Sequence, residues 1–125
     1  MKKVHLFAMA LLAGISILTA SPGWTQEKVA PPEVDGTVWM KSSSDEKRAF
    51  LYGAGSAFTL EYFIRTKHDE QPSNFVQGWV DTFKNETWGE LEKAVDKYYA
   101  DNPDKMHEHV FKVIWEQMIK PDMKK

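Results

Sequence analysis

Residues 43–65 read SSDEKRAFLYGAGSAFTLEYFIR, and this stretch decides the fold class. Ser43 followed three residues later by Glu46 forms a capping box, a signature of a helix N-terminus. Apolar side chains then recur at steps of three and four residues, as on one side of an amphipathic helix. The residues of this stripe are Phe50, Leu51, Ala54, Phe58, Tyr62 and Ile64, with Ala57 and Phe63 widening it. The pattern predicts a helix from Ser43 to about Arg65.

Small residues interrupt the middle of this helix. Gly53 and Gly55 each cost ~1 kcal/mol relative to alanine inside a helix, so something should offset them. One interpretation is the close approach of a second helix, which missing side chains permit directly. The other is a shallow pocket whose floor is formed by Gly53, Gly55 and Ala57. We favour close packing.

Three more helices are predicted after a polar loop. The second starts near Ser73 and carries an apolar stripe that ends at Phe83. The third opens with another capping box, Thr87 to Glu90. The fourth is expected over about residues 103–120, with Asn102 as its cap and Pro103 at its first position, and Pro121 should end it. The sequence thus predicts one all-α domain of four helices, orthogonal or up-down, over residues 43–120, followed by a frayed tail, 121–125.

The N-terminal segment has the features of a secretory signal. Lys2 and Lys3 precede an apolar run, residues 4–18, that is too short to cross ~30 Å of hydrocarbon comfortably. We expect cleavage after Ala20, with sites up to Gln26 possible, and a proline-containing extended arm over residues 21–42. Within that arm, Trp39 is expected to fold back onto the core. The protein is therefore expected to be periplasmic or secreted, without stable membrane insertion after cleavage.

Cysteine content and charge exclude several classes of protein. The chain has no cysteine, which excludes a lipoprotein anchor and disulfides. Loss of Lys2 and Lys3 from the 16 Lys+Arg leaves 14 against 18 Asp+Glu, a formal charge of −4. This mild negative balance argues against nucleic acid and against an anionic membrane surface as partners.

No residue pattern indicates catalysis, a cofactor or a metal. The chain lacks a Gly-x-Ser-x-Gly elbow and a His-Glu-x-x-His pair. His107 and His109 are two apart and would point in opposite directions on a helix, while His68 falls in a predicted loop. We therefore predict no catalytic, cofactor-binding or metal-binding residues, and a protein that is not an enzyme.

Aromatic side chains beside acids suggest an interaction surface. Tyr98 and Tyr99 are adjacent, so one can be buried while the other is exposed near Asp101. We list Tyr99, Asp101, Trp88 and Trp39 as this candidate surface. The alternative is simple capping and packing at a corner between two helices.

Two blocks of sequence carry a loose resemblance to known proteins. Trp39, Ser43 to Lys47 and Leu51-x-Gly53, followed by Val95-Asp96-x-Tyr98-Tyr99 and Asn102-Pro103, resemble a group of small uncharacterised exported bacterial helical proteins over most of residues 36–118. More distantly, the layout is similar to periplasmic immunity proteins that neutralise type VI secretion amidase effectors. Those usually carry cysteines, which this chain lacks, and no functional residue transfers from either group.

The expected function is that of a small soluble periplasmic binding protein without enzymatic activity. Its partner is expected to be another protein, as the resemblance to immunity proteins also implies. The alternative is a periplasmic protein that binds a small ligand or a metal, using the pocket floor or the histidines.

Overall fold

A computed structural model describes residues 33–125. Its elements are α1 (Gly36–Lys41), α2 (Ser44–Lys67), α3 (Asn74–Phe83), α4 (Trp88–Asp101), a 3-10 turn (Pro103–Lys105), α5 (Val110–Ile114), a π-helical turn (Trp115–Ile119) and α6 (Lys120–Asp122). No strand occurs within residues 33–125, so the all-α prediction is confirmed. The predicted signal peptide, 1–20, and the arm as far as residue 32 lie outside the described residues.

Hydroxyl caps start three of the four helices that the sequence placed after residue 42. The Ser43 hydroxyl accepts from the Glu46 N–H at 3.2 Å, and the Glu46 carboxylate accepts from the Ser43 N–H at 2.7 Å. Thr87 and Glu90 form the same reciprocal pair at the start of α4. Ser73 caps α3 through the Val76 N–H. Both predicted capping boxes are therefore confirmed. Each one bonds two backbone N–H groups that the end of a helix would otherwise leave without a partner.

The predicted extended arm is wrong for residues 36–41, which form α1. Asp35 caps this helix, since its carboxylate accepts from the Val38 N–H at 3.0 Å. Gly36 is buried, and a Cβ there would lie 2.5 Å from the Tyr99 ring. The absence of a side chain at Gly36 thus lets α1 approach α4 closely. Asp35 also forms an isolated β-bridge with His109, which ties the start of the domain to α5.

The fourth helix begins later than predicted. Pro103 opens only a 3-10 turn, and the Asn102 side-chain amide donates back to the Tyr98 carbonyl at 2.8 Å, so it serves the end of α4. The helix starts at Val110 and continues past Pro121 to Asp122. The Lys120 N–H bonds the Trp115 carbonyl five residues back, which widens the turn ahead of a proline that has no N–H to donate.

The core lies where α2 meets α3 and α4, and α5 with the π-helical turn closes it. Its fully or nearly buried side chains are Trp39, Leu51, Trp79, Leu91, Val95, Tyr99, Val110, Val113, Ile114 and Ile119. Phe58 of α2 packs edge-to-face on Phe75 and Trp79 of α3, with ring centroids 5.1 Å away in both cases. Such pairs add to the free energy of area burial. Over residues 33–125, no helix is both long and apolar enough to cross a bilayer.

Candidate functional site

Two of the four residues proposed as an interaction surface are in the core. Trp39 and Tyr99 are each only 1% exposed. The Trp39 indole N–H donates to Asp96 at 2.7 Å, and the Tyr99 hydroxyl donates to the Glu108 carbonyl at 2.6 Å. The prediction is therefore wrong for these two residues. Each ring hides its large apolar area while its single polar atom is hydrogen-bonded inside the domain.

The other two residues, Trp88 and Asp101, are exposed but far apart. Trp88 is 36% exposed and meets Tyr52 edge-to-face, with ring centroids 5.8 Å apart. Asp101 pairs with Lys97 one turn earlier on α4. Trp88 and Asp101 stand at opposite ends of α4, separated by ~20 Å at the rise of an α-helix. The four predicted residues consequently do not form one surface.

The small residues of α2 divide between two sides of the helix. Gly55 is buried, and a Cβ there would come within 2.6 Å of the Trp88 ring and 3.2 Å of the Trp79 ring. Close packing therefore occurs at Gly55, where the nearest atoms belong to tryptophan side chains of α3 and α4 and not to the backbone of a second helix. Gly53 and Ala57 point the other way: both are exposed, and a Cβ on Gly53 would meet nothing within 4 Å. Gly53, Gly55 and Ala57 therefore do not form a common pocket floor.

An apolar surface that the sequence analysis missed lies on this second side. We define the outer face of α2 as its exposed small and apolar residues: Ala49, Tyr52, Gly53, Ser56, Ala57, Leu60, Phe63 and Ile64. Leu60 is 60% exposed, Phe63 61% and Ile64 52%. The spacing of apolar residues predicts Phe63 and Ile64 in the core-facing stripe, and this prediction is wrong for both. The signal that could have found the face is the spacing of Gly53, Ala57, Leu60 and Ile64, which repeats every three or four residues opposite Leu51.

The Ser56 hydroxyl and the charged groups along one border of the outer face already have partners within the domain. The Ser56 hydroxyl donates to the Tyr52 carbonyl at 2.7 Å, so covering Ser56 leaves no donor unsatisfied. Arg65 pairs with Glu61 at 2.8 Å and with Glu70 at 3.2 Å along one border of the face. The hydrogen bond and charge of Glu61 raise the pKa of Arg65. These ion pairs flank a shallow groove of about 340 Å³ that Ala57, Leu60 and Ile64 also line.

A second concave region lies between α2, α3 and the start of α4. It encloses about 250 Å³, and its apolar lining comes from Trp79, Val80, Phe83, Trp88 and Leu91. Its volume is close to that of a single large side chain or a small apolar molecule and falls below the ~300–1,000 Å³ of typical ligand pockets.

An ionic network fixes the opposite side of α2 onto α4. Glu92 is nearly buried and accepts from the Ser44 hydroxyl at 2.7 Å and from the Arg48 guanidinium at 2.6 Å. The Ser44 hydrogen bond is the largest cause of the lowered pKa of Glu92, and Arg48 adds to it. Lys47 donates to Asp96 at 2.8 Å. These pairs orient α2 and leave its outer face pointing away from the domain.

Tyr98 and Glu108 form a further polar pair at the end of α4. The Tyr98 hydroxyl donates to the Glu108 carboxylate at 2.7 Å. This hydrogen bond raises the pKa of Tyr98 to about 12 and lowers that of Glu108. Burial raises the pKa of Tyr99. The three shifts arise from packing at the joint between α4 and α5, away from the outer face of α2.

The histidines are dispersed over the described part of the chain. His68 follows the end of α2, and His107 is exposed. His109 precedes α5 and lies in the bridge with Asp35. Within residues 33–125, no group of three or more His, Asp or Glu side chains converges in a way that could hold a metal ion.

Comparison of the chain with protein-family models, with curated proteins and with solved structures found no match.

Proposed function

We propose that the chain is an exported, non-enzymatic protein-binding module of the bacterial periplasm. Its binding surface is the outer face of α2, and its partner presents an apolar helix. The observation that carries the proposal is one helix face on which three large apolar side chains, Leu60, Phe63 and Ile64, are exposed within residues 33–125. Contiguous apolar patches on a soluble domain usually mark interaction sites.

The composition of the face favours a helix as the contacting element. Leu60 and Ile64 are one turn apart and supply the anchors that helix-in-groove recognition uses. Gly53, Ser56 and Ala57 lie in the same stripe and present almost no side chain. Their small size allows a second helix to approach at the ~8–10 Å interaxial distance of packed helices.

The charges around the face favour a protein over a membrane surface. Interfacial helices place lysines and arginines along their polar side to meet anionic lipids. Here, the exposed Lys67 at the end of the face is balanced by acidic Asp45 and Glu61 at its borders, and Arg65 is already engaged by Glu61 and Glu70. The net charge of the whole chain is −2. An anionic bilayer would therefore gain little from this side of the domain.

Site-specific photo-crosslinking in the envelope of the producing cell tests the proposal. A photoreactive phenylalanine replaces Phe63 on the outer face, and in a second variant it replaces Lys93, an exposed residue of α4. We expect a protein adduct from position 63 and none from position 93. Adding Leu60→Glu to the first variant should abolish the adduct, because a carboxylate would have to be desolvated in the contact.

A matched control separates loss of binding from loss of folding. Leu60 is mostly exposed, so at low protein concentration, where complexes are dissociated, Leu60→Glu should keep the circular dichroism spectrum and melting temperature of the parent protein. Lipid adducts in place of protein, or an adduct that persists in the Leu60→Glu variant, would contradict the proposal.

The cleft beside Trp88 supports a second candidate function, the binding of a small apolar ligand. Trp79 and Trp88 form two of its walls, so an occupant would change tryptophan fluorescence. Native mass spectrometry of protein taken from its own host should detect a bound molecule. A bare protein mass, together with fluorescence that does not respond to small apolar compounds, would eliminate this candidate.

A further inference from the structure

We infer that the helix which covers the outer face of α2 is α2 of a second copy of this chain, packed antiparallel. This inference rests on the proposed function and names its partner. Apart from Tyr52, the face carries small residues toward the start of the helix and large apolar residues toward its end. Two copies that run in opposite directions therefore bring the small half of each against the large half of the other.

The spacing of the face fits a specific register. Residues 49, 53, 56, 60, 63 and 67 alternate steps of four and three, the repeat of helices that pack side by side. Antiparallel pairing that sets residue i opposite residue 116−i places Gly53 against Phe63 and Ser56 against Leu60 of the second copy. Phe63 and Leu60 then each enter the space above a small residue, while Ile64 packs beside the second copy's Tyr52.

The charges at the two ends of α2 match in the same register. The first turn carries Asp45 and Glu46, and the last turn carries Lys67. With Ala49 opposite the second copy's Lys67, that ammonium lies beside the acidic first turn of its partner. Because the arrangement is symmetric, the contact occurs twice. The antiparallel helix dipoles also attract each other.

The polar cost of covering this face is small. Ser56 is the polar residue nearest the centre of the contact, and its hydroxyl already donates to the Tyr52 carbonyl. Thr66 likewise donates to the Tyr62 carbonyl at 2.8 Å. Neither hydroxyl donor loses a hydrogen bond to water without replacement.

The size of the face sets the strength of the dimer. The contact from residue 49 to residue 67 is ~27 Å long at the rise of an α-helix. A strip of that length and one helix wide is smaller than the ~800 Å² per partner of a stable complex. We therefore expect a weak dimer with a dissociation constant of about 1–100 µM.

Engineered disulfides test both the partner and the register, and the absence of native cysteine makes the assay clean. The full chain is expressed, exported and purified as two single variants, Ala49→Cys and Lys67→Cys. In the proposed register these positions face each other, so the mixed sample should oxidise to a dimer about tenfold faster than either variant alone. Rapid self-linking of Ala49→Cys alone would overturn the register.

Sedimentation velocity tests the association without any cross-link. Leu60→Glu should weaken dimerisation at least about tenfold, a change of ~1.4 kcal/mol. Ala100→Glu adds the same charge on an exposed site of α4 and should leave the dimer unchanged. A parent protein that stays monomeric at about 1 mM, well above the expected dissociation constant, would overturn the inference.

The photo-crosslinking at position 63 distinguishes failure of this inference from failure of the proposed function. An adduct of twice the monomer mass that contains only this chain supports the inference. An adduct with a different protein overturns the inference and leaves the proposed function standing. An internal cross-link to another segment of the same chain, or a lipid adduct, overturns both.

Discussion

The two sides of α2 carry the same types of residue, but one side is buried in the domain and the other is exposed. Leu51 and Gly55 are buried against α3 and α4, whereas Leu60 and Gly53 are exposed on the outer face. Near the start of the helix, the ion pairs of Lys47 and Arg48 bind it to α4. In its second half, apolar residues occur on both sides. An apolar stripe therefore identifies a helix, but it does not show which side of that helix the rest of the domain covers.

The largest expected effect comes from a pair of leucines on the two sides of α2. Leu51 is fully buried, so Leu51→Ala should lower the free energy of unfolding by ~2–5 kcal/mol through lost burial and a residual cavity. Leu60→Ala should change it by no more than ~0.5 kcal/mol. Urea unfolding at low protein concentration, where a weak dimer is dissociated, measures both. Equal losses would mean that the outer face is covered within the monomer.

The glycines supply the next test, with effects of opposite sign. Gly55→Leu should destabilise the domain by ~1–3 kcal/mol, because its side chain would collide with Trp79 and Trp88. Gly53→Leu meets open space and should stabilise the helix by up to ~1 kcal/mol. Thermal unfolding gives the sign. A shift of Trp88 toward water in the Gly55 variant should move tryptophan emission to longer wavelength.

The smallest effect concerns the pH dependence of the ion pairs that hold α2 on α4. The pKa of Glu92 is lowered in the folded protein, so its contribution to stability is complete above its ordinary value of 4.5 and is lost as the pH falls below the lowered value. Glu92→Gln should cost about 1 kcal/mol at pH 7, since it weakens charge-assisted hydrogen bonds. The variant and the parent should converge in acid.

Unfolding at several pH values checks this prediction. Glu61→Gln is the control, because that carboxylate lies in an exposed ion pair whose net worth is small. A Glu92 variant that differs from the parent equally at pH 7 and in strong acid would show that packing, and not charge, holds this contact.

Local chemistry explains which parts of the fold were predictable. Ser43, Ser73 and Thr87 each precede a helix that starts where the sequence placed it, because a cap bonds only to N–H groups two or three residues away. Asn102 and Pro103 carry equally good local signals, yet α5 starts at Val110. The amide of Asn102 bonds the Tyr98 carbonyl, and Val110 is held by the Val34 carbonyl, far away in sequence. Such long-range competition leaves no trace in a local pattern.

The candidate site was less predictable than the fold. Trp39 and Tyr99 are residue types that are common at interaction surfaces. In the folded chain, however, Asp96 bonds the Trp39 indole and Gly36 lies against the Tyr99 ring, and neither contact is visible in the local sequence. Phe63 and Ile64 fit the core periodicity, but α3 begins at Asn74 and covers α2 chiefly through contacts near Phe58. The spacing of apolar residues shows on which side of a helix each apolar side chain lies. It does not report whether a neighbouring element lies there.

For the described part of the chain, the sequence by itself determined an all-α fold and the start of its main helices. These follow from hydrogen bonds and side-chain spacing within a few residues. Only the tertiary structure decided that α1 belongs to the domain, that Tyr99 and not its neighbour Tyr98 is the buried tyrosine, and that α2 has an exposed apolar face. Those outcomes depend on which surfaces meet, because burial is a property of two elements together and is not encoded in either one alone.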